Sequence, residues 1–171
     1  MQSIYFVDSN FTYESSKKSI LSIRYATDGF SFCVHDETEK LVVFVHEPHA
    51  ADSREAAMAR LKNYVVNDAI LNLRFKKVYI MPCFKEKLLV PGAFFDKTNI
   101  ATLYAVNQEV SPDDTILYHH IEGIEAYLVE TVISSFHDFV REHFPVVQIV
   151  NGAYPFILGA MSKALRDTEQ I

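Results

Sequence analysis

The sequence predicts an α/β fold: a mixed sheet that opens as a three-strand antiparallel meander and continues through helix–strand units. Three observations carry this. Residues 18–46, KSILSIRYATDGFSFCVHDETEKLVVFVH, alternate apolar and polar side chains over three runs parted by two turn signals, Asp28-Gly29 and Thr38-Glu39. KVYIM at 77–81 and VVQIV at 146–150 are short, β-rich and nearly all apolar, the composition of strands buried on both faces by helices. Around them, apolar residues recur at helical spacing.

In chain order, residues 1–17 mix Ile4, Tyr5, Phe6 and Phe11 with a polar run and are expected to drape over the sheet. Asp28-Gly29 is expected to form a two-residue type I′ turn, with both central residues at positive φ. That turn sets Tyr25 opposite Phe32 and Ile23 opposite Val34. The reversal at Thr38-Glu39 sets Val34 opposite Val43 and Phe32 opposite Val45, so both turns bury the same face. Asp52, with Glu55 three residues on, is expected to cap a long helix carrying Ala57, Leu61, Tyr64 and Val65. The strand at 77–81 then lies parallel to the first meander strand.

Pro82, Pro91, Gly92 and Pro112 break the next stretch into short pieces: a strand at 88–90, a Thr98-capped helix to Asn107, and a strand at 115–119. Residues 83–122 therefore read as a small inserted subdomain, with 1–82 and 123–171 as the core. The strand at 126–132 is expected to extend the main sheet beyond 77–81. Ser134 caps a helix whose Phe136, Phe139, Val140 and His143 share a face, and Pro145 ends it. Tyr154, Ile157, Leu158, Met161 and Leu165 form one stripe of a final helix, a candidate interaction surface.

Composition narrows the function classes. At 171 residues and 49% apolar content the chain can bury a core, and its net charge of −6 with scattered Lys and Arg argues against nucleic acid. No apolar stretch approaches membrane-spanning length, and the N-terminus lacks the basic start and apolar run of a signal peptide, so a cytoplasmic protein without membrane contact is expected. Two cysteines, Cys33 and Cys83, have no metal-type spacing and make no disulfide framework. Five glycines include no G-x-G-x-x-G or Walker loop, so no cofactor is expected.

Residue by residue, the chemistry is sparse. His46 and His49 are the candidate metal ligands, but only a bend could converge imidazoles at that spacing. His119 and His120 are strand neighbours and point to opposite faces, and Glu122 follows them. Ser134 and Ser135 stand at a helix start without a G-x-S-x-G elbow, where capping accounts for them. No catalytic residue is assigned.

The order of elements, three antiparallel strands, helix, strand, inserted segment, strand, helix, strand, helix, resembles the first half of an actin-like ATPase. That fold is a duplicated ribonuclease-H-like unit, and pilus-assembly actin-like proteins are especially similar. LSIRYATDGFSFCV, KVYIMP, LLVPGAFFD and EAYLVETVISSFHDFVREHFP further resemble a family of uncharacterised proteins, chiefly from Bacteroidetes, with that fold. The resemblance spans almost the whole chain and implies a ribonuclease-H-like, actin-like half-domain.

In active members of the actin-like group the first hairpin is a phosphate loop: an Asp ends strand one, a Gly comes two residues later, and Thr or Ser follows. Here Thr27, Asp28 and Gly29 are the matching positions, and the only cofactor-binding candidates. Asp and Gly are adjacent, strand one ends in Arg24-Tyr25-Ala26, and bulky Phe30 is expected to fill the phosphate's space. The resembled family also continues into a second half. With the chain ending at Ile171, half of any nucleotide site is expected to be missing. The sequence thus predicts a bacterial, non-catalytic, degenerate actin-like scaffold that binds a protein partner or itself, a homodimer included. The alternative is an ATP-binding ATPase completed by a missing half or another chain.

Overall fold

The computed structural model describes residues 2–168, without the side chains of Glu122, Ser162 and residues 164–168. The chain folds as two compact units, residues 1–84 with 135–149, and residues 85–134 with 150–171.

The first unit is built on a six-stranded sheet in the order β1-β4-β3-β2-β5-β9. Its strands are β1 (Ile4–Val7), β2 (Ile20–Ala26), β3 (Gly29–His35), β4 (Leu41–Pro48), β5 (Lys77–Pro82) and β9 (Val147–Ile149). β1 to β4 pair antiparallel, and β5 and β9 continue the sheet parallel to β2. α1 (Tyr13–Ser16) precedes β2, α2 (Arg54–Asn67) follows the meander, and α4 (Ser134–His143) precedes β9. Leu21, Ile23, Tyr25, Phe30, Phe32, Val34, Val43, Val45, Val78 and Ile80 share one face and are buried.

Two helices cover that face. Tyr64 of α2 sets its ring 4.5 Å from Phe30 and 6.3 Å from Phe32, and Phe136 of α4 lies 4.9 Å from Tyr25. α2 begins at Ser53, whose Oγ accepts from the Ala56 N–H at 3.2 Å. Asp52, expected as the cap, stands one residue earlier, because a serine next to the first turn reaches the orphan amide directly. At the other end Asn72 Nδ2 donates to the carbonyls of Val65 and Asp68 at 2.9 and 2.7 Å, satisfying groups the helix leaves open.

The second unit holds a three-stranded antiparallel sheet ordered β6-β8-β7: β6 (Lys87–Pro91), β8 (Ala126–Ile133) and β7 (Asp114–Ile121). α3 (Ile100–Asn107) packs Ile100 and Tyr104 on Val90 and Val129, and Phe95 stacks on Tyr127 with ring centroids 3.6 Å apart. Asn99 holds the cap position of α3; Thr98, expected there, instead gives its N–H and hydroxyl to the Asp96 carboxylate. α5 (Tyr154–Thr168) is the last helix.

Three expectations are corrected. Thr27-Asp28, not Asp28-Gly29, form the two-residue loop, so Tyr25 pairs with Phe30, Ile23 with Phe32 and Leu21 with Val34. The positive φ, +140°, belongs to Gly29 at the entry to β3, and neither Thr27 nor Asp28 has one. The register moves by two residues, so every side chain keeps its face. Second, residues 4–7 do not drape: they add β1 to the free edge of β4, because IYFV is a run of strong β-formers.

Third, β8 belongs to the smaller sheet, and β9 takes the place beside β5. A tight turn joins β7 to β8, Ile121 pairing with Ala126, whereas a parallel partner for β5 needs a crossover, which α4 provides. The second meander turn stands as expected, Val34 opposite Val43 and Phe32 opposite Val45, with Glu39 at φ 64°.

Gly29→Ala should destabilise the first unit by about 1–3 kcal/mol, since a Cβ there would sit 2.5 Å from the Glu47 carbonyl oxygen at a left-handed φ. Urea unfolding measures it; a change below about 0.5 kcal/mol would contradict this account of the turn.

Candidate functional site

The first hairpin, where the resemblance implies a phosphate loop, is tied to the chain that follows β4. The Thr27 carbonyl accepts from the Ala51 N–H at 2.8 Å, and the Asp28 carbonyl from His49 N–H at 3.1 Å. Arg24 donates to both Asp28 carboxylate oxygens, at 3.2 and 3.3 Å. Beside Gly29, the Glu47 carbonyl and the Pro48 Cα fill the space a side chain would take. A phosphate cradle needs backbone N–H groups converging on open space, and here backbone of residues 47–49 occupies the flank of Gly29. Phe30, expected to block that space, turns its ring to Tyr64 in the core instead, because its position alternates with Ser31 along β3.

His46 and His49 diverge. His46 Nδ1 lies 2.9 Å from Ser31 Oγ, on the sheet face opposite the core. His49 turns to the ring of Phe30, a residue of the helix-covered face, with ring centroids 5.9 Å apart. Burial and the nearby Arg60 hold its pKa below the ordinary value. Among the described residues no three His, Cys, Asp or Glu side chains gather where a metal could sit. His120 lies tilted against Tyr127, ring centroids 4.7 Å apart, and stands 3.6 Å from Glu125, while the His119 and Tyr154 ring centroids are 5.9 Å apart, so the two imidazoles part as strand neighbours do.

The residue that sequence reasoning passed over is Glu130. It sits in mid-β8, opposite Lys87 of β6 and Leu117 of β7, and is 2% exposed. Burial pushes its carboxyl up to about 8, against the opposing pull of Lys87 and Asn151. Asn151 is wholly buried just before α5, where its Oδ1 accepts from Ala153 N–H at 2.8 Å. The Asn151 side chain interacts with Glu130 and opposes the upward shift, but Glu130 Oε1 and Asn151 Nδ2 make no hydrogen bond of ordinary length and angle among the described residues. The signal was one carboxylate inside the apolar run AYLVETVI. A carboxyl raised to about 8 can give or take a proton near neutral pH, yet the grooves beside Phe94, Phe75, Ala105, Glu14 and Phe139 among the described residues do not include it.

Along α5, Tyr154, Ile157 and Met161 are half-buried and Leu158 is 40% exposed, and Phe156, outside the expected stripe, is 78% exposed. The Leu165 side chain lies outside the described residues. No helix of the described residues is long and apolar enough to cross a membrane.

Comparison with known proteins fits this geometry. Residues 8–171 match the model of the family described as Protein of unknown function (DUF3822). The chain belongs to the DUF3822 family. No curated protein matches it. A crystal structure of a Bacteroides thetaiotaomicron protein with an actin-like ATPase fold and unknown function superposes with a TM-score of 0.80 at 24% identity. The match covers 90% of this DUF3822 chain and 59% of that one, so the chain spans less than two thirds of its neighbour's length. The likeness fixes the fold as actin-like.

Because the Glu130 carboxyl is raised from 4.5 to about 8, the folded chain binds the proton more tightly than the unfolded one. The associated stability is complete below pH 4.5 and is lost as pH rises through 8. Glu130→Gln should therefore flatten the pH dependence and gain on the order of 2–4 kcal/mol over wild type at pH 8. Unfolding curves at pH 5 and 8 check this; parallel losses in both proteins would reject it.

Proposed function

We propose that the chain is a non-catalytic interaction module of the bacterial cytoplasm: an actin-like half that binds a protein partner or a second copy of itself. The observation that carries this reading is the clamped first hairpin. Where the resembled ATPases open a phosphate loop, Thr27 and Asp28 give their carbonyls to Ala51 and His49, and Gly29 lies against Glu47. A loop held in this way serves as a corner of the sheet.

Apolar surface supports the binding half of the proposal. Ile4, Tyr5, Phe6 and Val7 are all exposed along one strand, and Phe156 and Leu158 are exposed on α5. Clusters of large apolar side chains left in water are characteristic of surfaces that meet other proteins.

A thermal-shift titration with ATP and magnesium tests the reading. The melting temperature should stay within about 1 °C of the ligand-free value, because a ligand that binds only the folded state must raise it. A saturable rise of several degrees would favour an ATP-binding protein whose site another chain completes.

A further inference from the structure

We propose that two copies of the chain pair through β1, forming one continuous antiparallel sheet about a two-fold axis at Tyr5. The inference rests on the interaction-module reading and names its partner and surface.

Sheet edges are normally protected by shortness, by charge or by proline. β9 has only three residues, β6 carries Lys87 and Pro91, and β7 carries Asp114, His119 and His120. β1, four residues long, is protected by neither charge nor proline. Its four side chains, Ile4, Tyr5, Phe6 and Val7, are 50%, 65%, 45% and 36% exposed.

Hydrogen-bond parity makes the strand its own complement. Asp8 N–H donates to the Val42 carbonyl at 2.8 Å, continuing the register that sets Val7 opposite Val43. The N–H and C=O groups of residues 4, 6 and 8 therefore point at β4, and those of Ser3, Tyr5 and Val7 point away. A second β1 related by a two-fold axis can bond those outward groups with Tyr5 opposite Tyr5, Ser3 opposite Val7 and Ile4 opposite Phe6. Directly opposed residues then lie on the same face of the joined sheet. Sliding by one further pair would set Ile4 against Asp8, whose carboxylate is already held by Lys40 at 2.8 Å.

Charge selects a copy over another partner. The chain carries −6 overall, but residues 3–7 carry no charge, so two copies meet here without opposing like charges. The same strip offers nothing to an acidic or basic peptide. So short a strand pair buries less than about 1,000 Å², which places the dimer among weak, reversible ones.

Sedimentation velocity from about 5 to 500 µM should show a monomer–dimer equilibrium. Tyr5→Lys should weaken it at least tenfold, and so should Tyr5→Pro, which removes an outward N–H while sparing the β1–β4 ladder. Both variants should melt as wild type does. Leu158→Asp should leave the dimer intact. With Cys33→Ser and Cys83→Ser in place, Tyr5→Cys should form a disulfide-linked dimer and Phe6→Cys should not, since directly opposed Cα atoms stand about 5.5 Å apart. A monomer throughout, or a dimer that survives both Tyr5 variants, would overturn the edge pairing. If that surviving dimer is lost on Leu158→Asp, the interaction-module reading stands without it. A melting-temperature rise with ATP and magnesium would overturn that reading and leave β1 pairing to be judged by sedimentation alone.

Discussion

Everything in the first unit depends on β2, the strand where the sheet changes from antiparallel to parallel pairing. Ile23 faces Phe32 on one side and Ile80 on the other, and all three are buried. β2 must satisfy two different hydrogen-bonding geometries with the same backbone while burying every second side chain. Its alternation of Leu21, Ile23 and Tyr25 with Ser22 and Arg24 meets both demands. The helices follow from that face: Tyr64 and Phe136 come to it because Phe30, Phe32 and Tyr25 offer large apolar area there.

Most of this was legible in the residues. The meander, the α2 face, the parallel placement of β5 and the second turn were all written in period and turn chemistry. The second turn read correctly because Asp36 closes it locally, its Oδ1 accepting from the N–H groups of Thr38 and Lys40. The first turn did not, because Asp-Gly suits a type I′ loop and also suits a loop followed by a glycine at positive φ. The close passage of residues 47–49 chooses between them, and that contact is not local. β1 escaped because four apolar residues without alternation look alike as loop or edge strand. β8 was found as a strand but assigned to the wrong sheet: its hairpin with β7 was missed across Ile121–Ala126, and its other partner, β6, lies some forty residues earlier.

The chemical features divide in the same way. The absence of a glycine-rich cradle could be read directly, whereas Glu130 becomes notable only when both neighbours of β8 close over it. A lone carboxylate in an apolar strand usually signals an exposed edge, but here it marks the middle of a sheet. Asn151 adds to this, because its Oδ1 is committed to the start of α5 and its amide nitrogen is left on the buried side. The two polar side chains are oriented by elements that meet only in the folded unit, so sequence spacing could not pair them.

The first unit is also discontinuous. The chain leaves it after Phe84 and comes back at Ser135, and the intervening residues carry α3 and the sheet in which β8 pairs with adjacent β7 and with β6 some forty residues earlier. During synthesis, β5 emerges with Val78 and Ile80 ready to pair, but β9, its outer partner, lies almost seventy residues downstream. For that interval the parallel edge of the main sheet has no strand of its own to close it. The order of translation thus makes β9 the last rung of the sheet to be laid, and until it emerges the chain carries an open β5 edge of the kind that invites pairing with other chains.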